Sequence, residues 1–188
     1  MGLTTGQALC REKERGVHVI EYQRPETLDE AVRILAGAGE QGRVLAGGTD
    51  LIVQLREGRR PNVNVVVDVK KVAEVNEISF DPQRGLTIGA AAPCYRIYAN
   101  RDVAEKYPAL IDSAALIGGT AIQGRASLGG NMCTASPAAD SVPTIIALGA
   151  QCIIAGPRGR RTVPAEDFAT GPGRTCLQDG EMLVALQF

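Results

Sequence analysis

Apolar residues first fall into a regular pattern at Leu28, Ala31, Val32 and Leu35, which recur at i, i+3, i+4 and i+7 behind Thr27 and Glu30, a capping box. The spacing predicts a helix from residue 27 to about Gly37. Val44 and Leu45 then close a short buried strand, Gly47 and Gly48 turn the chain, and LIVQLREG reads as a short helix stopping at Gly58. A valine-rich run over residues 63–69 supplies another strand and completes a β-α-β unit within residues 17–75. Alternation over residues 78–80 and 86–90, joined by Asp81-Pro82-Gln83-Arg84-Gly85, predicts a hairpin and a change to antiparallel pairing. After a polar helical passage, Pro108 starts a helix with Leu110, Ile111, Ala114 and Ile117 on one face. Residues 142–148 form a short apolar helix, residues 151–155 pair with 160–163 across Gly156-Pro157-Arg158-Gly159, and residues 182–188 make a last strand. That strand runs to the terminus with no turn or cap after it, so the expectation is a piece of a longer protein.

Residues 117–140, IGGTAIQGRASLGGNMCTASPAAD, break the pattern, because large side chains are few and glycine is frequent. The stretch reads as a glycine-rich loop whose backbone can approach a ligand closely. Gly129, Gly130 and Asn131 put several N–H groups on one bend, and Asp140 follows as an acceptor. Donors for a phosphate-bearing group and an acceptor for a hydroxyl are what a nucleotide requires, although the same composition suits a plain helix-to-strand connection. The strand, Gly-Gly turn and helix start around Val44, Leu45, Ala46, Gly47, Gly48, Thr49, Asp50 and Leu51 make a second anion site, since unpaired amides face outward there. Two such loops imply one long ligand. Gly37-Ala38-Gly39-Glu40-Gln41-Gly42 matches G-x-G-x-x-G but follows a helix and precedes a strand, the reverse of the dinucleotide context, and reads as a cap and loop.

The 188 residues carry 20 Lys plus Arg against 21 acidic residues, which leaves no field favouring nucleic acid or an anionic membrane surface. With no Trp, three Phe and four Tyr, base-stacking platforms are scarce. No 18-residue apolar run could span a bilayer and no signal peptide is evident, so the expected location is the cytoplasm. Five widely spaced cysteines without a CxxC exclude a disulfide framework and a metal or iron–sulfur site in this chain. His18, the sole histidine, gives no basis for a catalytic triad or a histidine-linked flavin. Arg158, Arg160 and Arg161 read as a solvated hairpin tip.

Ala46-Gly47-Gly48-Thr49-Asp50-Leu51 and Ser127-Leu128-Gly129-Gly130-Asn131, the latter continued by Thr134-Ala135-Ser136-Pro137-Ala138-Ala139-Asp140, resemble two loops of a known family. They are similar to the A-G-G-x-x-L and T-I-G-G-N loops that hold FAD in the flavin-binding subunit of the molybdenum hydroxylases, the group containing xanthine dehydrogenase and aerobic carbon monoxide dehydrogenase. The resemblance runs from about Val17 to Phe188 and takes in Ile88-Gly89-Ala90-Ala91 and Met182-Leu183-Val184. It departs at Ala121-Ile122-Gln123, where the family has a Gln-Ile-Arg-type run, and in lacking the family's C-terminal domain.

The resemblance implies an α+β, two-subdomain FAD-binding fold of the vanillyl-alcohol oxidase / p-cresol methylhydroxylase type. Its parts would be a loose arm over residues 1–16, a small β-α-β subdomain over 17–75 and a larger α+β subdomain over 76–188. Residues 46–51 would hold the pyrophosphate, with Thr49 adding a hydroxyl and the Asp50 carboxylate capping the helix away from the phosphates. Ile117, Gly118, Ile122 and Ala126 would line the adenosine side, Ser127, Gly129, Gly130 and Asn131 would serve the phosphates and ribitol, and Asp140 would meet a ribose hydroxyl. Ala91 would stand at the strand end that passes the flavin, and Leu183, on the closing strand, would also contact the cofactor. By the same resemblance the chain is the electron-transfer module of a molybdenum hydroxylase, with a molybdopterin-binding large subunit and a two-iron, two-sulfur subunit as partners and NAD or oxygen as acceptor. A chain without the further domain is expected to hold FAD weakly until assembled. A stand-alone FAD oxidoreductase and a flavin-free scaffold are the alternative readings.

Overall fold

The computed structural model describes residues 19–188, so the expected N-terminal arm, Cys10 and His18 lie outside the described residues. Three short strands, β1 (Glu21–Gln23), β2 (Gly42–Leu45) and β3 (Val65–Asp68), form a parallel sheet in the order β1-β3-β2. Helix α1 (Leu28–Ala38) connects β1 to β2, and helix α2 (Leu51–Arg56) connects β2 to β3. The predicted cap of α1 is present: Thr27 Oγ1 accepts from Glu30 N at 3.2 Å, while the Glu30 carboxylate accepts from Glu26 N at 3.1 Å. The predicted strand over 63–69 is shorter than expected, because Asp68 already caps a 3-10 turn over Val69–Lys71 through Lys70 N.

Beyond this unit, β4 (Ile78–Asp81) and β5 (Gly85–Gly89) make the expected hairpin. Helices α3 (Cys94–Tyr98), α4 (Arg101–Lys106) and α5 (Pro108–Ala115) follow. The stretch read as one glycine-rich loop contains two further helices, α6 (Thr120–Gln123) and α7 (Leu128–Thr134). Glycine content argued against helix, yet Leu128 and Met132 sit four apart on a buried face and Ser127 caps the start, which outweighs the propensity penalty. Helix α8 (Val142–Ala147) leads to the hairpin of β6 (Gln151–Gly156) and β7 (Gly159–Pro164), then to α9 (Ala165–Phe168), the small pair β8 (Ala169–Gly171) and β9 (Arg174–Thr175), and β10 (Met182–Gln187).

β10 is the middle of a five-stranded antiparallel sheet ordered β4-β5-β10-β6-β7. Its run Met182, Leu183, Val184, Ala185 and Leu186 is buried at every position, as a strand covered on both faces must be. One face packs with α3, α5, α7 and α8 through Ile97, Leu110, Met132 and Ile145. On the other, Met182, Val184 and Ala185 share a core with Leu28, Ala31, Val32 and Leu35 of α1. Helix α1 therefore serves both sheets at once. At the β6-β7 hairpin Arg158 and Arg160 are exposed, as expected of a solvated tip, with Arg160 pairing with Glu74 at the surface; Arg161 departs from the expectation, being part-buried and paired with the largely buried Glu181 carboxylate. None of the described helices is long and apolar enough to cross a membrane.

Candidate functional site

Two glycine positions fix how the halves of the site meet. At Gly47 an added Cβ would stand 1.9 Å from the carbonyl oxygen of Arg125 and 2.5 Å from its carbon, so only a hydrogen fits where the two backbones cross. Gly48 carries the turn at φ 77°, a conformation favouring glycine. Arg125 Nε donates to Gly47 O at 2.9 Å and ties the same crossing. The segment beyond is held in turn by Cys94 N, which donates to Ala126 O at 2.8 Å, and by a bridge between Pro93 and Ser127.

Between the crossing segments and the residues leading into β10 opens a cleft of about 760 Å³, within the range of small-molecule sites. Its wall includes Val44, Ala46, Gly47, Gly48, Thr49, Asp50 and Leu51 from the first loop. Ala91, Ile117, Ala126, Ser127, Gly129, Gly130, Asn131 and Leu183 join them from the rest of the chain. Of the residues singled out from sequence, Leu45, Gly118, Ile122 and Asp140 stand outside this lining. Leu45 is buried under the sheet with Val63 and Val66, whereas Ile122 and Asp140 are exposed.

The backbone N–H groups of Gly47, Gly48, Thr49 and Asp50 have no acceptor among the described residues. Asp50 holds the N-cap position of α2 without a side-chain capping bond, contrary to the expected role of its carboxylate. Four adjacent free donors on a cleft wall make an anion site. Beyond the crossing, Ser127 Oγ accepts from Gly130 N at 3.1 Å and Ser127 O accepts from Asn131 N at 3.0 Å, closing the first turn of α7. The Asn131 Oδ1 atom is buried on the cleft lining with no partner among the described residues, an acceptor open to a ligand donor.

Sequence reasoning missed one whole wall: Thr170, Arg174, Thr175, Leu177, Gln178, Asp179 and Glu181. Arg161 holds it in place, with Nε and Nη2 donating to the two Glu181 carboxylate oxygens at 2.9 and 2.7 Å and Nη2 also donating to Cys176 O at 2.8 Å. Bidentate pairing of this kind fixes orientation as well as distance. It raises the Arg161 pKa and holds the Glu181 carboxyl below its ordinary range. The only local signal was the turn chemistry of Gly171-Pro172-Gly173 and Asp179-Gly180. Arg43, Gln54, Arg60 and Asn62, also missed, line the polar end of the cleft.

Adjacent amide donors, a buried orphan acceptor and room for a long molecule fit a diphosphate-bearing dinucleotide such as FAD. The comparisons agree. The family described as "FAD binding domain in molybdopterin dehydrogenase" matches residues 18–188. A xanthine dehydrogenase FAD-binding subunit of Escherichia coli is 35% identical over 167 residues, covering 89% of this chain and 56% of the relative. The carbon monoxide dehydrogenase medium chain of Hydrogenophaga pseudoflava is 29% identical over 167 residues, covering 89% of this chain and 58% of its own length. The chain thus spans a little over half the length of these curated relatives. A crystal structure of a Cu,Mo-CO dehydrogenase in its cyanide-inactivated form superposes with a TM-score of 0.84 at 29% identity, covering 90% of this chain and 59% of that one. From the crossing at Gly47 to the closing strand, the chain belongs to the FAD-binding domain family of the molybdopterin dehydrogenases.

Proposed function

We propose that the protein is the flavin-carrying, electron-transfer part of a molybdenum-containing dehydrogenase, taking electrons from an iron–sulfur partner and passing them to an external acceptor. The observation that carries the reading is the row of amides over residues 47–50, unpartnered among the described residues, on the lining of the same cleft as the buried Asn131 acceptor. Those amides would take the FAD pyrophosphate, with the Thr49 hydroxyl beside them. Ser127 keeps α7 wound so that Gly130 and Asn131 meet the phosphates and ribitol, while Ile117 and Ala126 give an apolar wall for the adenosine. Ala91 and Leu183 close the flavin side. Bound FAD supplies the redox chemistry, and the chain's task is to bind, orient and shield it.

The finer fold reading, a vanillyl-alcohol oxidase / p-cresol methylhydroxylase type, is supported by a parallel unit and an antiparallel unit gripping one cleft. Residues 17–75 and 76–188 are the corresponding subdomains. A molybdopterin-binding large subunit and a two-iron, two-sulfur subunit are the partners proposed from the relatives' standing as subunits of dehydrogenases. NAD or oxygen as acceptor and a cytoplasmic location belong to the same proposal. Titration of flavin-free protein with FAD and FMN, read by flavin fluorescence, tests the pose. FAD is expected to bind at least about a hundredfold more tightly, some 2.7 kcal/mol, because FMN lacks the adenosine and the second phosphate of the pyrophosphate. Equal affinity for the two would sink it.

A further inference from the structure

The cleft lining also holds two arginines, Arg43 and Arg60, outside the 46–51 loop to which the pyrophosphate is assigned. Arg43 Nη1 donates to the backbone carbonyls of Glu40 and Gly42 at 2.9 and 2.6 Å, which pins the guanidinium, while its Nε and Nη2 have no partner among the described residues. Arg60 spends only Nε, on Gln54 Oε1 at 2.8 Å. Neither is in an ion pair among the described residues, whereas Arg59, Arg101, Arg160 and Arg161 each are. Burial pulls the Arg43 pKa below its ordinary value and the like charge of Arg60 adds to this, while the carboxylates of Asp179 and Glu40 act the other way without reversing it. A half-buried guanidinium crowded by another cation is stabilised by an anion brought between them.

The ends of FAD differ in this respect. Adenine is neutral in every redox state. The flavin ring takes up two electrons and one proton on full reduction near neutral pH; the proton goes to N5, and the remaining negative charge is shared by N1 and the C2 carbonyl oxygen. With the pyrophosphate on the amides of residues 47–50, only the flavin end of the ligand presents a charge that the two arginines can neutralise.

Resting on the flavin reading above, we propose that Arg43, seconded by Arg60, faces the pyrimidine edge of the flavin ring and sets its reduction potential by stabilising the reduced, negatively charged form. Arg43 is a tuning residue for the flavin, one of the levers a protein has over a cofactor's electronics.

The test uses FAD-loaded wild type, Arg43→Ala, Arg43→Lys and Arg60→Ala, each checked for native melting by circular dichroism. Potentials are read against reference dyes during dithionite reduction, and the affinity for sulfite, which adds at N5 and leaves the same negative charge, is measured in parallel. Arg43→Ala should weaken the preference for the reduced form about tenfold, a fall of about 30 mV for a two-electron couple. Its sulfite dissociation constant should rise by about the same factor, with oxidised FAD bound within about threefold of wild type. Arg43→Lys should keep most of the potential, and Arg60→Ala should shift it less in the same direction. Unchanged potential and sulfite affinity, with weaker FAD but unaltered FMN binding, would place Arg43 at the adenosine end and overturn the proposal. A wild-type protein that takes up no FAD would overturn the flavin reading on which it rests.

Discussion

Replacing Gly47 by alanine separates packing from ligand contact at the heart of the site. The new methyl carbon would sit 1.9 Å from Arg125 O and 3.1 Å from Ala126 N, and both obstacles are backbone, so the two segments must move apart. No positive φ is involved at Gly47, which leaves the clash as the whole perturbation. Overpacking of this kind costs about 1–3 kcal/mol. Parting the segments also stretches the 2.9 Å bond from Arg125 to Gly47 O, a charged-group bond worth about 1.5–3 kcal/mol. The expected loss is at least about 2 kcal/mol, or roughly 4–8 °C in Tm for a chain of this length. Because the same crossing sets the distance between the amides of residues 47–50 and Asn131, FAD affinity should fall at least about tenfold. Urea unfolding of the flavin-free protein and a fluorescence titration measure the two effects independently. Gly37→Ala is the control: nothing lies within 4 Å of its Cβ on α1, and a gain of about 0.5–1 kcal/mol is expected there. If Gly47→Ala unfolds like wild type and binds FAD normally, the crossing is not as tight as argued and the reasoning fails.

Thr27→Ala removes the α1 cap and should cost about 1 kcal/mol in urea unfolding, with FAD affinity of the folded protein unchanged. Ser127→Ala frees Gly130 N in the first turn of α7, so a loss of about 0.5–2 kcal/mol should come with weaker FAD binding; stability loss without any change in affinity would detach α7 from the site. The Arg161 partner holds the Glu181 carboxyl below its ordinary value, so its stabilisation is complete above roughly pH 4.3 and is lost as pH falls through the lowered value. Glu181→Gln should therefore lower stability near neutral pH and flatten the acid limb of the stability–pH curve, and an unaltered limb would assign that slope to other carboxylates.

Helix α1 could be read outright because Thr27, Glu30 and the apolar spacing agree at every level. The Gly-Gly loops were legible as a site but not in their mechanics. Gly47 and Gly129 look like room made for a ligand, yet a Cβ on Gly129 would strike Ala90 at 2.5 Å, and both positions are small because another stretch of backbone or side chain occupies the space. Nothing local announces such long-range crossings. The Gln178 to Glu181 wall was invisible for a similar reason, since its shape depends on Arg161, which came across only as a charge on a hairpin. Asp140 shows the converse: a carboxylate at a plausible spacing from Asn131 that the fold leaves exposed, beyond the cleft lining.

The central place of β10 has a consequence for the order of assembly. As the ribosome delivers the chain, the hairpins β4-β5 and β6-β7 can form from neighbouring residues, but each keeps an unpaired edge until β10, the last described strand, slots between them. Helix α1 can pack early on Val67 and Val69 of its own parallel unit, but the core around it is completed only when Met182, Val184 and Ala185 arrive. Nascent chains stopped short of residue 182 should thus carry two open sheet edges and an incomplete core beside α1, the surfaces through which unfinished proteins stick to one another and which chaperones cover. Closure of the sheet and burial of α1 then become one late event, slow in proportion to the distance in sequence it must bridge.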